Sequence, residues 1–280
     1  MTVAAEPPLQ ARSRATARRE FPFWLLAAAL LALLFGWLIV NDGDYRIIFA
    51  ALRQGVVTTV WVSVVAFVLA CALGLVVALA RRSQLRIVRE VATFYVEIVR
   101  GIPVLVLLFY VAFVGAPAIV AAWNWLFEWA PFVPPMSVRS FDMTWRAIFA
   151  LTVSYSAFLS EIFRAGIESV PRPQVEGAYA LGLSRGTTMR FVVLPQAFRT
   201  VLPPLGNDFV AMIKDSALVS ALGVQDITQL GKVYSASTFL FFETYNVVAF
   251  LYLVMTIGLS LLVRLLEQRL KRRGWTGTAA

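Results

Sequence analysis

The sequence predicts an all-α membrane protein of about six transmembrane helices, and three observations carry that expectation. Sixty per cent of the 280 residues are hydrophobic and 13% aromatic. With a mean hydropathy of +0.76, this is more apolar surface than a soluble core of such length can bury. The apolar residues fall in runs long enough to cross a bilayer, separated by polar segments. Basic residues collect in alternate segments, as the preference for positive charge on the cytoplasmic side requires.

The elements follow in order. Residues 1–21 carry Arg12, Arg14, Arg18 and Arg19 among Pro and Ala, and read as a basic, disordered or surface-lying cytoplasmic tail. Residues 22–40 contain no charge and form the first span. That run is too long for the apolar part of a signal peptide and no small-residue cleavage site follows it, so the span is read as uncleaved. Further spans are expected at 55–80, 101–122, 143–163, 201–224 and 244–263. Between the second and third, Leu85 to Val99 is basic and partly apolar, the pattern of an interfacial elbow helix. Gly101 and Pro103 then open the third span. Residues 115–135 hold Trp123, Trp125 and Trp129 with four prolines, and suit an aromatic belt or a short re-entrant hairpin at the outer interface. Pro203 and Pro204 are expected to break the start of the fifth span, and 270–280 forms a second basic tail.

With the N-terminus inside, nineteen of the 25 Lys and Arg residues fall on the cytoplasmic side. Five fall outside (Arg46, Arg53, Arg139, Arg146 and Lys232), and Lys214 lies within a span. Both termini and the segment 164–199 are therefore cytoplasmic. The net charge of +9 is explained by this topology and by anionic lipid; with no basic patch interleaved with aromatics, nucleic acid is not expected as a partner. Cys71 is the single cysteine and reads as a packing residue, and there is no histidine. Zinc sites, thiol catalysis and a disulfide framework are excluded.

Residues 174–195, QVEGAYALGLSRGTTMRFVVLP, interrupt the apolar runs. They read as a short helix from Gln174 to Leu181 stopped by Gly182, then a second helix opened by Ser184 and ended by Pro195. Small residues at Gly177, Ala178 and Ala180 permit the close approach of a soluble partner. Glu176, Gly177 and Ala178, then Gly182, then Val192, Leu194 and Pro195 closely resemble the cytoplasmic coupling loop of ABC importer permeases. The usual text there is Glu-Ala-Ala, a Gly four residues on, and Ile-x-Leu-Pro; this chain has Gly177 for Ala and Val192 for Ile. The flanking segments 160–184, 193–224 and 99–113 are similar to the polar amino acid branch, of the kind that imports histidine, glutamine or arginine. Pro173 stands where that branch commonly has Gly.

The resemblance covers about Gly55 to Arg269 and implies an importer-type transmembrane domain over 54–269, with the first helix outside the family core. It implies an all-α fold with a cytoplasmic coupling-helix loop and a place in a bacterial inner membrane. It also implies partners: ABC ATPase subunits, a second permease chain, identical or paralogous, and an extracytoplasmic substrate-binding protein. Glu176, Gly177, Ala178, Gly182, Leu194 and Pro195 would then meet the ATPase. The chain has no phosphate-binding G-x-x-x-x-G-K-[ST]; Gly231 and Lys232 are followed by Val and lack the upstream Gly, so ATP would be bound by the partner and no cofactor is expected here.

The fifth span contains Asn207, Asp208, Lys214 and Asp215, each costly against lipid and therefore a candidate for the transport pathway. A zwitterionic amino acid needs a cation for its carboxylate and an anion for its ammonium, and Lys214 with Asp215 or Glu161 meets both needs. The structural alternative, that these groups pair with one another or across a subunit interface, stands beside it. Glu161 with Arg164, and Glu97 with Arg100, are expected to be structural pairs three residues apart; EIVRG (97–101) echoes EIFRAG (161–166). Two rivals from other classes are a membrane-embedded enzyme using Glu161, Asp208 and Asp215, and a passive channel.

Overall fold

Apolar helices satisfy their own backbone, so a chain of this composition folds by packing helices side by side rather than by closing sheets. The computed structural model describes residues 23–130, 132–139 and 141–272. The expected tail 1–21, Pro22 at the head of the first span, and 273–280 of the second tail lie outside the described residues.

Helix α1 (Phe23–Asn41) gives way at Asp42, whose carboxylate caps α2 (Gly43–Ala80) by accepting from the backbone N–H groups of Asp44 and Tyr45. At 38 residues α2 is about 57 Å long, well beyond a bilayer, and it starts twelve residues before the expected 55. The charges of Asp44, Arg46 and Arg53 hid those turns from a hydropathy reading. Their opposite face, Tyr45, Ile48 and Leu52, is buried against Ile227 and Val247. Helix α3 (Arg86–Gly101) is amphipathic as expected: Ala92 and Val96 pack on Val77, while Tyr95 donates to the Val153 carbonyl at 3.0 Å.

After Pro103, helix α4 (Val104–Tyr110) runs through a π turn (Val111–Gly115) into α5 (Ala116–Leu126), which together make the third span. The Trp-rich segment beyond it is closed by Asn124, which donates to the Met136 carbonyl at 2.9 Å and accepts from its N–H at 2.7 Å. Helix α6 (Met143–Glu168) is the centre of the bundle. Its Ile148, Leu151 and Leu159 are buried among Val62, Ala66 and Ala70 of α2, Leu108 of α4, and Met212. A Cβ on Gly74 would lie 2.9 Å from the Ser156 carbonyl, so glycine there sets how closely α2 and α6 approach. Arg146 is buried near the head of α6 and donates to the carbonyls of Phe141, Val138 and Ala112, satisfying a cation with backbone dipoles.

Helices α7 (Arg172–Ala180) and α8 (Arg185–Thr188) follow, then a π turn (Met189–Val193) and α9 (Leu194–Asp215). The expected break at Pro203 and Pro204 does not occur: both lie inside α9. Neighbours α6, α2 and α11 hold α9 on several sides, and a packed helix survives the loss of two ladder N–H groups. Its end tightens into a 3-10 turn (Ser216–Leu222) closed by Gly223, before α10 (Ile227–Thr238) and α11 (Phe241–Arg272). Helix α11 runs through Arg272, so the first residues of the expected second tail, 270–272, are helical.

Among the described residues, four helices are long and apolar enough to cross a membrane: α2, α4–α5, α6 and α11. The described apolar stretch of α1, Leu25–Asn41, is shorter, and α9, the expected fifth span, carries too much polar character to join them.

Candidate functional site

The polar loop between α6 and α9 is built by local signals. Gly182 takes a left-handed conformation, φ 80°, after the last turn of α7. The N–H of Leu183 returns to the Ala178 carbonyl at 3.1 Å and that of Gly182 to Tyr179 at 2.9 Å, the paired bonds of a Schellman cap. Ser184 then opens α8, its hydroxyl accepting from the Thr187 N–H at 3.3 Å. The corner expected at residues 182–184 is therefore present.

Pro195, however, does not end the second helix. The π turn bonds the Leu194 N–H to Met189, one residue further back than an α-helix would, and Pro195 sits in the first turn of α9, where its missing N–H costs little. The loop thus feeds directly into α9. The side-chain amide of Gln196 donates to the Val192 carbonyl at 2.9 Å and to Gln174 Oε1 on α7 at 2.7 Å. Beneath it, Ile167, Val170, Val193 and Ala197 form a small core shared by the end of α6 and the start of α9.

Of the residues expected to face a partner, Glu176, Gly177, Gly182, Leu194 and Pro195 are exposed. Ala178 is not: at 5% exposure it packs inward. Glu176 and Gly177 share the outer face, and the further 100° step to Ala178 carries it round to the inner one. The apolar residue that does stand out is Leu181, 83% exposed.

Glu161, expected to pair with Arg164, is engaged by three arginines. Arg164 donates from Nε at 3.0 Å and from its terminal nitrogen at 2.8 Å. Arg81, at the end of α2, pairs with the other carboxylate oxygen, and Arg100 of α3 lies 3.8 Å away. Arg164 also reaches Glu168 at 2.7 Å. Arg100 therefore does not pair with Glu97. The end of α3 points toward α6, where Arg100 also lies over the Phe158 ring at 5.7 Å. Glu161 and Lys214 form no ion pair with each other among the described residues.

On α9 the four polar residues form two stripes, because positions seven apart nearly superpose on a helix. Asp208 and Asp215 are half-buried and turn toward α6, where the Tyr155 hydroxyl donates to Asp215 Oδ2 at 2.8 Å and lies within electrostatic reach of Asp208. Asn207 and Lys214 are exposed on the adjacent stripe, and Lys214 makes no ion pair among the described residues. Tyr155 and Arg81 are the members of these clusters that sequence reasoning missed. Arg81 carried only a topological charge there, and one tyrosine in an apolar helix gives no signal. The helices that hold the tyrosine–carboxylate cluster, α6 and α9, are the two that the polar loop joins.

The chain is similar over residues 70–272 to the binding-protein-dependent transport system inner membrane component. It is 32% identical over 224 residues to the probable amino-acid permease protein YxeN of Bacillus subtilis, covering 80% of this chain and 93% of that protein. It is 33% identical over 220 residues to the glutamine transport system permease protein GlnP of Escherichia coli, covering 79% and 93%. Among solved structures, a crystal structure of an amino acid ABC transporter with histidines superposes with a TM-score of 0.67 at 32% identity, covering 82% of this chain and 98% of that one. The inward-facing MetNI methionine ABC transporter, at 17% identity and a TM-score of 0.56 over 82% and 99%, shares the fold. The chain is a multi-pass membrane protein and belongs to the family of binding-protein-dependent transport system inner membrane components.

Proposed function

We propose that this chain is the permease subunit of an ATP-driven importer for polar amino acids or close analogues. The relatives named for amino acids and for glutamine support the substrate class. The single observation that carries the mechanism is the continuity of the 172–195 loop with α6 and α9, fastened by the Gln174–Gln196 bond. An ATPase that binds and hydrolyses ATP docks on Glu176, Gly177, Gly182, Leu194 and Pro195 on the cytoplasmic side. Its closure moves the loop as one piece, and α6 and α9 shift with it.

The tyrosine–carboxylate cluster and the exposed Asn207–Lys214 stripe then line a pathway that opens to alternate sides. Asp215 and Asp208 suit a substrate ammonium and Lys214 a carboxylate. An exposed lysine on a span requires a wet cavity or a neighbouring helix, and a second permease chain across the α9 face supplies either. An extracytoplasmic binding protein delivers the substrate. The nineteen-to-five distribution of basic residues supports cytoplasmic termini in a bacterial inner membrane.

The test is to purify the tagged chain in mild detergent and identify co-purifying proteins by mass spectrometry, wild type against Glu176→Lys. A P-loop ATPase retained by wild type and lost from the variant is the expected result. Wild type that purifies alone under several mild conditions would overturn the importer reading. Reconstitution with a panel of radiolabelled amino acids then identifies the substrate.

A further inference from the structure

At the coupling-loop end of the bundle, the α2–α3 turn, the end of α6 and the α7–α8 corner enclose a cleft of about 640 Å³. Arg82, Arg172 and Arg185 line it, each from a different element and each exposed. Among the described residues none of the three has an ion-pair partner; the ion pairs at this end belong to Arg81, Arg100 and Arg164. Thr188 also lines the cleft. It is 1% exposed, and its hydroxyl has no hydrogen-bond partner.

Guanidinium forks are the complement of a carboxylate. Two acids share the lining: Glu168, held by Arg164, and Glu176, which has no ion-pair partner among the described residues. The cleft is therefore cationic but mixed. Glu176 would repel the phosphates of an anionic lipid surface, whereas a protein surface of mixed charge matches both signs. Glu176 in the cleft wall is one of the exposed residues assigned above to the ATPase, so the cleft borders that docking face.

We infer that the cleft receives a carboxylate side chain of the ATPase, gripped by Arg82, Arg172 and Arg185. This rests on the coupling reading and deepens it. The α2–α3 turn becomes a second point of attachment, so the ATPase holds α2 as well as α6 and α9.

The experiment uses the complex of this chain with its cognate ATPase in detergent. In Arg172→Lys and Arg185→Lys, carbodiimide joins the introduced amine to any carboxylate in contact, with loss of water, and mass spectrometry maps the amide. A cross-link to an Asp or Glu of the ATPase is expected. The triple variant Arg82→Ala, Arg172→Ala, Arg185→Ala should weaken ATPase retention by about tenfold or more, with the chain's thermal transition unchanged. The cleft assignment is overturned if the triple variant retains the ATPase at the wild-type level, or if the introduced lysines link only to Glu168 or Glu176 of this chain. An effect confined to vesicles containing phosphatidylglycerol and absent in detergent overturns it in favour of lipid. Wild type that retains no ATPase under any condition overturns the coupling reading itself.

Discussion

The amide nitrogen of Gln196 on α9 lies 2.7 Å from the amide oxygen of Gln174 on α7, and the same nitrogen lies 2.9 Å from the Val192 carbonyl in the π turn. One side chain thus fastens the outer helix of the loop to the helix that carries the polar stripes. A neutral hydrogen bond contributes about 1 kcal/mol net. Gln196→Leu is expected to lower transport-coupled ATP hydrolysis by roughly fivefold while the ATPase stays bound. A double-mutant cycle with Gln174→Leu should be non-additive, and additive losses would show that the bond is not the link.

Glu161 holds Arg81, Arg100 and Arg164, so its loss leaves Arg81 and Arg100 without a counter-charge, while Arg164 keeps Glu168. Arg81 is largely shielded, whereas Arg100 is far more open and stands at 3.8 Å. Glu161→Gln should therefore destabilise the chain by about 2–4 kcal/mol, and Arg100→Gln by less than about 1 kcal/mol. Thermal unfolding in detergent separates the two; equal shifts would refute the hub.

Tyr155 donates to Asp215 across the α6–α9 interface. Tyr155→Phe keeps the ring and removes the donor, which costs about 1.5–3 kcal/mol for a bond to a carboxylate. Uptake in proteoliposomes should fall at least about tenfold with ATPase retention unchanged. Undiminished uptake would place the substrate path elsewhere.

The corner after α7 depends on Gly182 at φ 80°. Gly182→Val forces a β-branched residue into the left-handed region at a cost of about 1–2 kcal/mol or more, and should strongly reduce ATPase co-purification. Gly182→Asn, which tolerates that conformation, should retain most of it. Loss with both variants would mean that the glycine is needed for space rather than for its backbone angle.

Much of the fold was legible in the sequence because the relevant forces are local or additive. Hydrophobicity sums along a segment, so α2, α4–α5, α6 and α11 stand out as apolar runs. The Gly182 stop and the Ser184 cap are also local, since each acts on backbone groups within a few residues. The early turns of α2 were missed because Asp44, Arg46 and Arg53 lower the average, although only the other face of the helix is buried.

The sequence by itself determined an all-α membrane chain, the position of its polar loop and the inventory of charges in the fifth span. Tertiary structure decided what those charges meet. Arg81 and Glu161 are 80 residues apart and Tyr155 and Asp215 are 60 apart, separations at which no local pattern indicates a contact. It also turned Ala178 inward while leaving Gly177 outside, and carried α9 through Pro195, Pro203 and Pro204. Propensity weighs each residue against its neighbours in sequence, whereas burial and charge pairing depend on the helices packed beside it, and in this bundle those contacts outweigh the local preferences.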